Sequence, residues 1–210
     1  MNGKTHAGVS VVVYVTLCNN TTVKFSYIGI ALAIFASLLP DIDHPKSIFN
    51  RYILFIRNKS VMTVFYICLG IIVLWADYIY FNNTAMKALA ASLIVIAFSS
   101  HRNGLTHSLT GLIIFTIITN SISNMYGFKD LSYVFMVGYG SHLLCDMTTN
   151  RGIPLFYPFS KKKYKFPFTY RVGSKIGNFI ELCIMSIGLI YIVYSLPSVL
   201  GFKLLLPYNQ

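Results

Sequence analysis

The sequence predicts an all-α fold, a polytopic transmembrane bundle with about six or seven membrane segments. Apolar residues make up 55% of the 210 residues and charged residues only 11%, whereas soluble domains carry about 25% charged residues. The mean hydropathy is +0.63. Residues 1–210 are therefore expected to form a single integral membrane domain, because the chain leaves no room for a separate large soluble domain.

Seven apolar segments account for the predicted helices. A helix needs about 20 apolar residues to cross a bilayer, and fewer where protein shelters its ends. The segments are residues 7–18, 26–39, 61–81, 85–100, 105–123, 131–147 and 176–197. Because the first two are short, the expected number of spans is six or seven. One long connection remains, residues 148–175.

The distribution of basic residues predicts the orientation. With the N-terminus inside, 13 of the 17 Lys and Arg residues fall in the inner connections, so the positive-inside rule favours a cytoplasmic N-terminus and a cytoplasmic 148–175 connection. The net charge of +11 and the run Lys161-Lys162-Lys163-Tyr164-Lys165 predict contact with anionic headgroups of membrane lipid. No nucleic-acid partner is expected, because no basic stretch belongs to a recognisable nucleic-acid fold.

This topology places all five histidines and four of the six acids at the cytoplasmic face. His6 precedes the first segment, His44 follows the second, His101 and His107 flank the turn between the fourth and fifth, and His142 ends the sixth. The acids are Asp41, Asp43, Asp146 and Glu181. Solvation of this face would be served better by lysine, so the cluster predicts a functional site.

His142 and Asp146 are four residues apart and project from the same face of a helix. The alternative interpretation is a helix-capping pair. Asp41, Asp43 and His44 lie between two prolines in a stiff turn. In an extended Asp-x-Asp the carboxylates point to opposite sides, so one is expected to bind a metal and the other to orient a partner or act as a base. The alternative here is an acid-rich helix stop.

The turn from His101 to His107 contains Gly104 and opens the fifth segment, where a helix N-terminus attracts anions. Arg102 could bind a phosphate or carboxylate there, or a lipid headgroup in a merely interfacial turn. His6, taken alone, could be an interfacial residue. Glu181 lies inside an apolar segment, where a carboxylate is costly without a partner or a function. It could pair with Lys175 or Arg171, or contribute to a metal site.

Histidine and carboxylate ligands without thiolates suit Zn²⁺ first, with Mn²⁺ or Fe²⁺ as alternatives. One or two ions are expected. Such ions bind a phosphoryl or carbonyl oxygen and activate water near neutral pH. The four cysteines form no Cys-x-x-Cys pair and lie in apolar segments, so they are interpreted as small core residues.

Four stretches together resemble a known family. They are Lys4-Thr5-His6, residues 39–45, residues 101–108, and residues 138–146 continuing through 149–159. The sequence resembles the bacterial inner-membrane, metal-dependent hydrolases of the YdjM type, also called LexA-binding inner-membrane hydrolases. That family is similar, distantly, to zinc-dependent phospholipase C and the P1-type nucleases, which are all-helical. The resemblance implies a phosphoester hydrolase in the bacterial inner membrane.

Asn103 is an extra residue relative to the family's His-Arg-Gly-x-Thr-His turn, so His107 carries over more directly than His101. The predicted metal ligands are His6, Asp43, His107, His142 and Asp146, followed by His44 and Glu181. In the hypothesis for the reaction, metal-activated water attacks phosphorus, Asp41 or His101 relays the proton, and Arg102 and Arg151 hold the anionic group.

Two other classes of protein remain open at this stage. One is a transporter for a metal or small anion, although transport sites tend to lie near the bilayer midplane and these ligands crowd one face. The other is a non-catalytic membrane protein with a structural metal site. A structural site is closed, whereas a catalytic one keeps an open coordination position.

Overall fold

The structure, a computed structural model, describes residues 1–99 and 104–201. Within these ranges it contains eight α-helices and no β-strand, which confirms the predicted all-α class. The helices are α1 Gly3–Asn20, α2 Tyr27–Leu38, α3 Ile48–Ile53, α4 Lys59–Ala76, α5 Thr84–Phe98, α6 Leu109–Met125, α7 Leu131–Met147 and α8 Lys175–Val199. Two 3-10 turns, Leu39–Asp43 and Leu105–His107, and a π-turn, Asp77–Phe81, complete the path.

Each of the seven apolar segments overlaps one of these helices, and polar residues fix where most of the helices begin. A side-chain oxygen just before the helix accepts a hydrogen bond from a backbone N–H of the first turn, which satisfies a donor that has no partner inside the helix. Caps of this kind precede α1 to α6 and α8, and the residues are Asn2, Ser26, Ser47, Asn58, Asn83, Ser108 and Ser174.

The additional helix, α3, lies in the connection between the second and third apolar segments. Six residues are too few to produce a periodic apolar pattern, so the sequence gives no signal for it. Its buried Asn50 fixes it in place: the Asn50 side-chain nitrogen donates to the carbonyl oxygens of Ile42 at 2.7 Å and His44 at 2.8 Å. The Tyr66 hydroxyl of α4 donates to the Asn50 side-chain oxygen. Through these hydrogen bonds, helix α3 connects the turn after α2 to α4.

Helix α7 is central, because it packs against α1, α2 and α6. Its closest approach to α2 is at Gly138, where a Cβ atom would lie 2.7 Å from the Ala33 carbonyl oxygen and 3.1 Å from the Ala36 Cβ. Only a glycine allows the two helices to come this close. Helix α8 packs along α1, while α4 and α5 form a hairpin that contacts α6 through α5.

Two helices are long and apolar enough to cross a membrane: α4 with the π-turn, Lys59–Phe81, and α8. Helices α5 and α6 are apolar but shorter. The structure therefore does not confirm six or seven spans. Much of the outward surface is apolar, with Ile72, Ile117 and Val193 each more than half exposed, while several buried side chains are polar. This arrangement suits a bundle surrounded by lipid rather than by water.

The long connection, residues 148–175, folds back over the end of α7. Ile153 and Tyr164 exchange two backbone hydrogen bonds, and the Phe166 N–H donates to the Met147 carbonyl oxygen at 2.9 Å. The Leu109 N–H, at the start of α6, donates to the Leu155 carbonyl oxygen at 2.9 Å. The connection thus joins the end of α7 to the start of α6, beside the predicted site.

Candidate metal centre

Five of the predicted site residues meet at one end of the bundle. His6 lies in the first turns of α1, Asp41 in the 3-10 turn after α2, and His107 in the 3-10 turn before α6. His142 and Asp146 occupy the last turns of α7. Because the seven long helices, α3 excepted, alternate in direction, the starts of α1 and α6 and the ends of α2 and α7 fall at the same end.

The distances between the candidate ligand atoms are close to those in a metal coordination shell. Asp146 Oδ2 lies 3.5 Å from His107 Nε2 and 3.6 Å from His142 Nε2, while Asp146 Oδ1 lies 3.3 Å from His6 Nε2. Asp41 Oδ1 lies 3.5 Å from His107 Nε2 and 4.0 Å from His142 Nε2. Ligands about 2.0–2.1 Å from a tetrahedral zinc ion are about 3.3–3.4 Å apart. The residues present therefore fit a divalent ion after small adjustments.

Two sets of side chains each bring three ligand atoms within 4.8 Å of one another: His6, His142 and Asp146, and Asp41, His107 and His142. His142 belongs to both sets. Asp146 faces His6 with one oxygen and His107 and His142 with the other. Five ligand-bearing side chains arranged in this way could hold one or two divalent ions.

The orientation of His142 is fixed by a backbone group. Its Nδ1 lies 2.6 Å from the Ser37 carbonyl oxygen, and because a carbonyl oxygen can only accept, Nδ1 must carry the proton. Nε2 then faces Asp41 and Asp146, with a lone pair when the ring is neutral and an N–H when it is protonated. This nitrogen is buried without a hydrogen-bond partner in the described part of the chain, which is unfavourable unless something binds there.

The orientation of His107 is fixed by a chain of side chains. The Thr106 hydroxyl donates to Asp43 Oδ2 at 2.9 Å, so its oxygen must accept from His107 Nδ1, 3.2 Å away. The Ser99 hydroxyl also donates to Asp43 Oδ2, at 2.9 Å. His107 Nε2 consequently faces Asp41 and Asp146. A carboxylate that orients a histidine in this manner is typical of the residues surrounding a metal site.

His6 stacks on His142, with ring centroids 3.8 Å apart and an angle of 15° between the rings. Its side chain has no solvent exposure, and neither ring nitrogen has a hydrogen-bond partner among the described residues. A buried imidazole with both nitrogens in this state is rare in a folded protein. His6 is therefore buried within one of the two candidate ligand sets.

The first residues of the chain also reach the cluster. The Met1 ammonium nitrogen lies 2.7 Å from Asp146 Oδ1. Glu181 holds this segment to α8: its carboxylate accepts from the Asn2 backbone N–H at 3.2 and 3.3 Å and from the Thr5 hydroxyl at 2.8 Å. Glu181 thus fixes the start of α1, which carries His6, and in the described structure it is outside the two ligand sets.

Asp41 is the most accessible member of the cluster. Its side chain is 17% exposed, whereas those of His6, His107, His142 and Asp146 have no exposure. Burial by itself raises the pKa of the Asp41 carboxyl, but His142 and the contact with His107 outweigh burial and hold that pKa well below its ordinary value. Asp41 is therefore an anionic carboxylate at the point where the cluster meets solvent.

The two aspartates of the Asp-x-Asp turn contact different groups. The turn is a 3-10 turn and not the extended segment assumed in the sequence analysis. Asp41, predicted as a proton relay, has an oxygen beside two histidines. Asp43, predicted as a ligand, accepts from Thr106 and Ser99. His44 directly follows the turn and is partly buried.

The remaining predicted residues lie at the periphery or beyond the described ranges. Arg151 is exposed in the turn after α7, and the four lysines of the 161–165 run are exposed as well. His101 and Arg102 lie outside the described residues. Sequence reasoning missed Met1, Ser37 and Thr106. The Ser37 contact involves a backbone oxygen and leaves no trace in the sequence, whereas the position of Thr106 next to His107 could have suggested a supporting hydroxyl.

Comparison with known proteins gives a consistent result. A family model described as YdjM inner membrane protein matches residues 1–203. The chain is 26% identical over 169 residues to the inner membrane protein YdjM of Escherichia coli K12, an alignment that covers 79% of this chain and 67% of the relative. The protein of the same name from Shigella flexneri matches with the same identity and coverage. No solved structure matches significantly.

Proposed function

Because the chain belongs to the YdjM inner membrane protein family, we propose that it is a membrane-embedded, metal-dependent hydrolase of the bacterial inner membrane. The proposed reaction is cleavage of a phosphoester in a lipid or lipid-linked substrate. The observation that carries this proposal is the buried cluster of three histidines and two aspartates with ligand atoms 3.3 to 4.0 Å apart. Bacterial inner-membrane location follows from the family, and the chemistry is our inference.

The proposed cofactor is one or two divalent ions, with Zn²⁺ favoured. Imidazole nitrogen and carboxylate oxygen without thiolate suit Zn²⁺, Mn²⁺ or Fe²⁺. His6, His107, His142, Asp41 and Asp146 would hold the metal. The hydrogen bonds to Ser37 and Thr106 support this assignment, because they turn the Nε2 atoms of His142 and His107 toward the carboxylates.

The proposed chemistry follows from the position of Asp41. A divalent ion at the cluster supplies polarisation of a phosphoryl oxygen and a lowered pKa for water. Asp41, the partly exposed carboxylate of the cluster, would meet an incoming water first and is the proposed proton acceptor. Arg151, exposed in the turn after α7, would contact the anionic group of the substrate. Arg102 is the second candidate for that role, and His101 is the second candidate for the proton relay. Asp43 acts through Thr106 and positions His107.

We further propose that the chain crosses the membrane six or seven times, with the N-terminus and the metal centre at the cytoplasmic face. The support is the concentration of Lys and Arg in the connections at the end of the bundle that carries the cluster. The exposed lysines of the 161–165 run lie in the connection that folds over α7, where anionic headgroups would bind them. The lipid phosphoester would then approach at headgroup level.

A non-catalytic structural metal site is the alternative that one observation favours. Four of the five side chains have no solvent exposure, and closed, fully protein-liganded sites are typical of structural metals. The partly exposed Asp41 argues for an open coordination position. Transport is less favoured because the cluster is at the ends of helices and not in their middle.

The experiment is to purify the full chain in detergent, measure bound metals by elemental analysis, and assay phosphate release from phosphatidic acid. Activity that disappears with a chelator and returns with Zn²⁺ supports the hydrolase. Stoichiometric metal without hydrolysis of any phosphoester lipid supports the structural alternative. Absence of metal from protein purified without chelator, together with failure to bind added Zn²⁺, would overturn both.

A further inference from the structure

An apolar cavity of about 370 Å³ lies between α2, α4, α5, α6 and α7. Its walls include Leu39, Ile42, Phe65, Leu93, Ile118 and Phe135. The two polar side chains that reach it are already engaged: the Tyr66 hydroxyl donates to Asn50, and the Thr119 hydroxyl donates to the Phe115 carbonyl oxygen at 2.8 Å. The cavity therefore offers contact to an apolar ligand and no free hydrogen-bonding group of its own to a polar one.

The cavity adjoins the candidate metal centre. Leu39 and Ile42 line it, and Asp41 lies between them in the same 3-10 turn. On the opposite side, Phe115 and Phe135 line the cavity and contact the Tyr139 ring, which is one helical turn before His142. The turn that carries Asp41 therefore also supplies part of the cavity wall.

The dimensions suit one hydrocarbon chain. The lining positions on α4 run from Phe65 to Val73, and eight residues of helix extend about 12 Å. The volume is more than twice that of an engineered apolar cavity of about 150 Å³ that holds a benzene ring. Phe35 and Ile53 also line the cavity and are 40% and 42% exposed, so it opens to the surroundings between α2 and α3.

We propose that this cavity binds one acyl or alkyl chain of a membrane phospholipid, whose phosphate then lies at Asp41. The inference rests on the proposed function, since it names the substrate class of the same centre and the place of its tail. The occupant is a lipid because the cavity is apolar along its length and opens on the outer surface of a membrane protein. Its wall also includes Leu39 and Ile42, from the turn that carries the partly exposed carboxylate of Asp41.

The test uses the full chain in phospholipid vesicles that contain phosphatidic acid with a diazirine on one acyl chain. Chelator is present throughout, so that hydrolysis cannot consume the probe. After illumination, labelled peptides are identified by mass spectrometry. We expect labelling of cavity residues on α5 and α6, in particular at Leu93 and Ile118. Labelling confined to outward-facing residues such as Ile117 would overturn the inference.

Neighbouring positions on α6 provide a matched pair of variants. Ile118 is 5% exposed and lines the cavity, whereas Ile117 is 59% exposed on the outer face. Ile118→Trp fills the cavity and is expected to lower labelling of Leu93 about tenfold, which corresponds to about 1.4 kcal/mol. Ile117→Trp should leave it unchanged. Equal labelling of Leu93 in the two variants would overturn the inference. If Ile118→Trp does not fold, Leu93→Phe replaces it, and the labelling of Ile118 is measured instead.

The two proposals fail separately. Cavity labelling in chelator, with no hydrolysis by the metal-loaded protein, would leave the lipid site intact and overturn the hydrolase. Hydrolysis of water-soluble and lipid phosphoesters at equal rates, with no cavity labelling, would support the hydrolase and overturn the lipid site.

Discussion

The Nδ1 atom of His142 lies 2.6 Å from the carbonyl oxygen of Ser37, and this contact joins α7 to the last turn of α2. Because the carbonyl can only accept, the contact fixes the tautomer of the histidine and turns Nε2 toward Asp41 and Asp146. Close packing of the two helices at Gly138, one turn away, makes the contact geometrically available. The packing of α2 against α7 thus also sets the orientation of the His142 ring.

The first prediction concerns removal of the α7 ligands. The double variant His142→Ala, Asp146→Ala removes a ligand from each of the two sets, so bound metal should fall to background in elemental analysis of the purified protein. Asp77→Asn is the matched control, because Asp77 is equally buried but accepts from the Asn83 N–H at the opposite end of α4. Wild-type metal content in the double variant would refute the assignment.

The second prediction concerns the hydroxyl between Asp43 and His107. Thr106→Val removes the group that accepts from His107 Nδ1 while preserving the shape of the side chain. Loss of such a supporting contact typically weakens metal affinity about 10- to 100-fold, which competition with a chromophoric chelator would measure. Thr110→Val is the control, because its hydroxyl donates to the Tyr157 carbonyl oxygen. Equal affinities in the two variants would contradict the orienting role.

The third prediction separates Glu181 from the metal ligands. Glu181→Gln keeps the size of the side chain but weakens its bonds to Asn2 and Thr5. The free energy of unfolding should fall by about 1–3 kcal/mol, seen as a lower midpoint of thermal unfolding in detergent, while metal content is retained. Asn178→Ala, at an exposed position one turn earlier on α8, serves as control. Loss of metal at unchanged stability would make Glu181 a direct ligand.

The fourth prediction compares two glycines of α7. At Gly138→Ala the new methyl group would meet the Ala33 carbonyl oxygen at 2.7 Å, so α2 and α7 must separate, and the cost should be about 1–3 kcal/mol. At Gly140→Ala nothing lies within 4 Å of the new atom, and stability should be unchanged or higher by up to about 1 kcal/mol. The midpoints of thermal unfolding of the two variants, measured in the same detergent, test this prediction. A more damaging Gly140→Ala would disprove the packing argument.

The apolar helices were the part of the fold that could be predicted best from the sequence. The composition of an apolar segment by itself indicates burial in lipid or protein, which is why each of the seven predicted segments overlaps a helix. The number of times the chain crosses the membrane could not be predicted in the same way, because length and hydropathy support only α4 and α8 as spanning helices. The six-residue α3 was missed because tertiary hydrogen bonds to Asn50, and not a local pattern, hold it in place.

The sequence by itself determined that His142 and Asp146 share a helix face, since four residues make close to one helical turn. It also placed His6, Asp41 and His107 at helix ends that meet on the same side of the bundle. Only the tertiary structure decided that His6 stacks on His142, that Asp41 has an oxygen beside two histidines, and that Asp43 supports His107 through Thr106. These contacts join residues up to 136 positions apart, and helix packing at distances of a few ångströms fixes them, which no local pattern encodes.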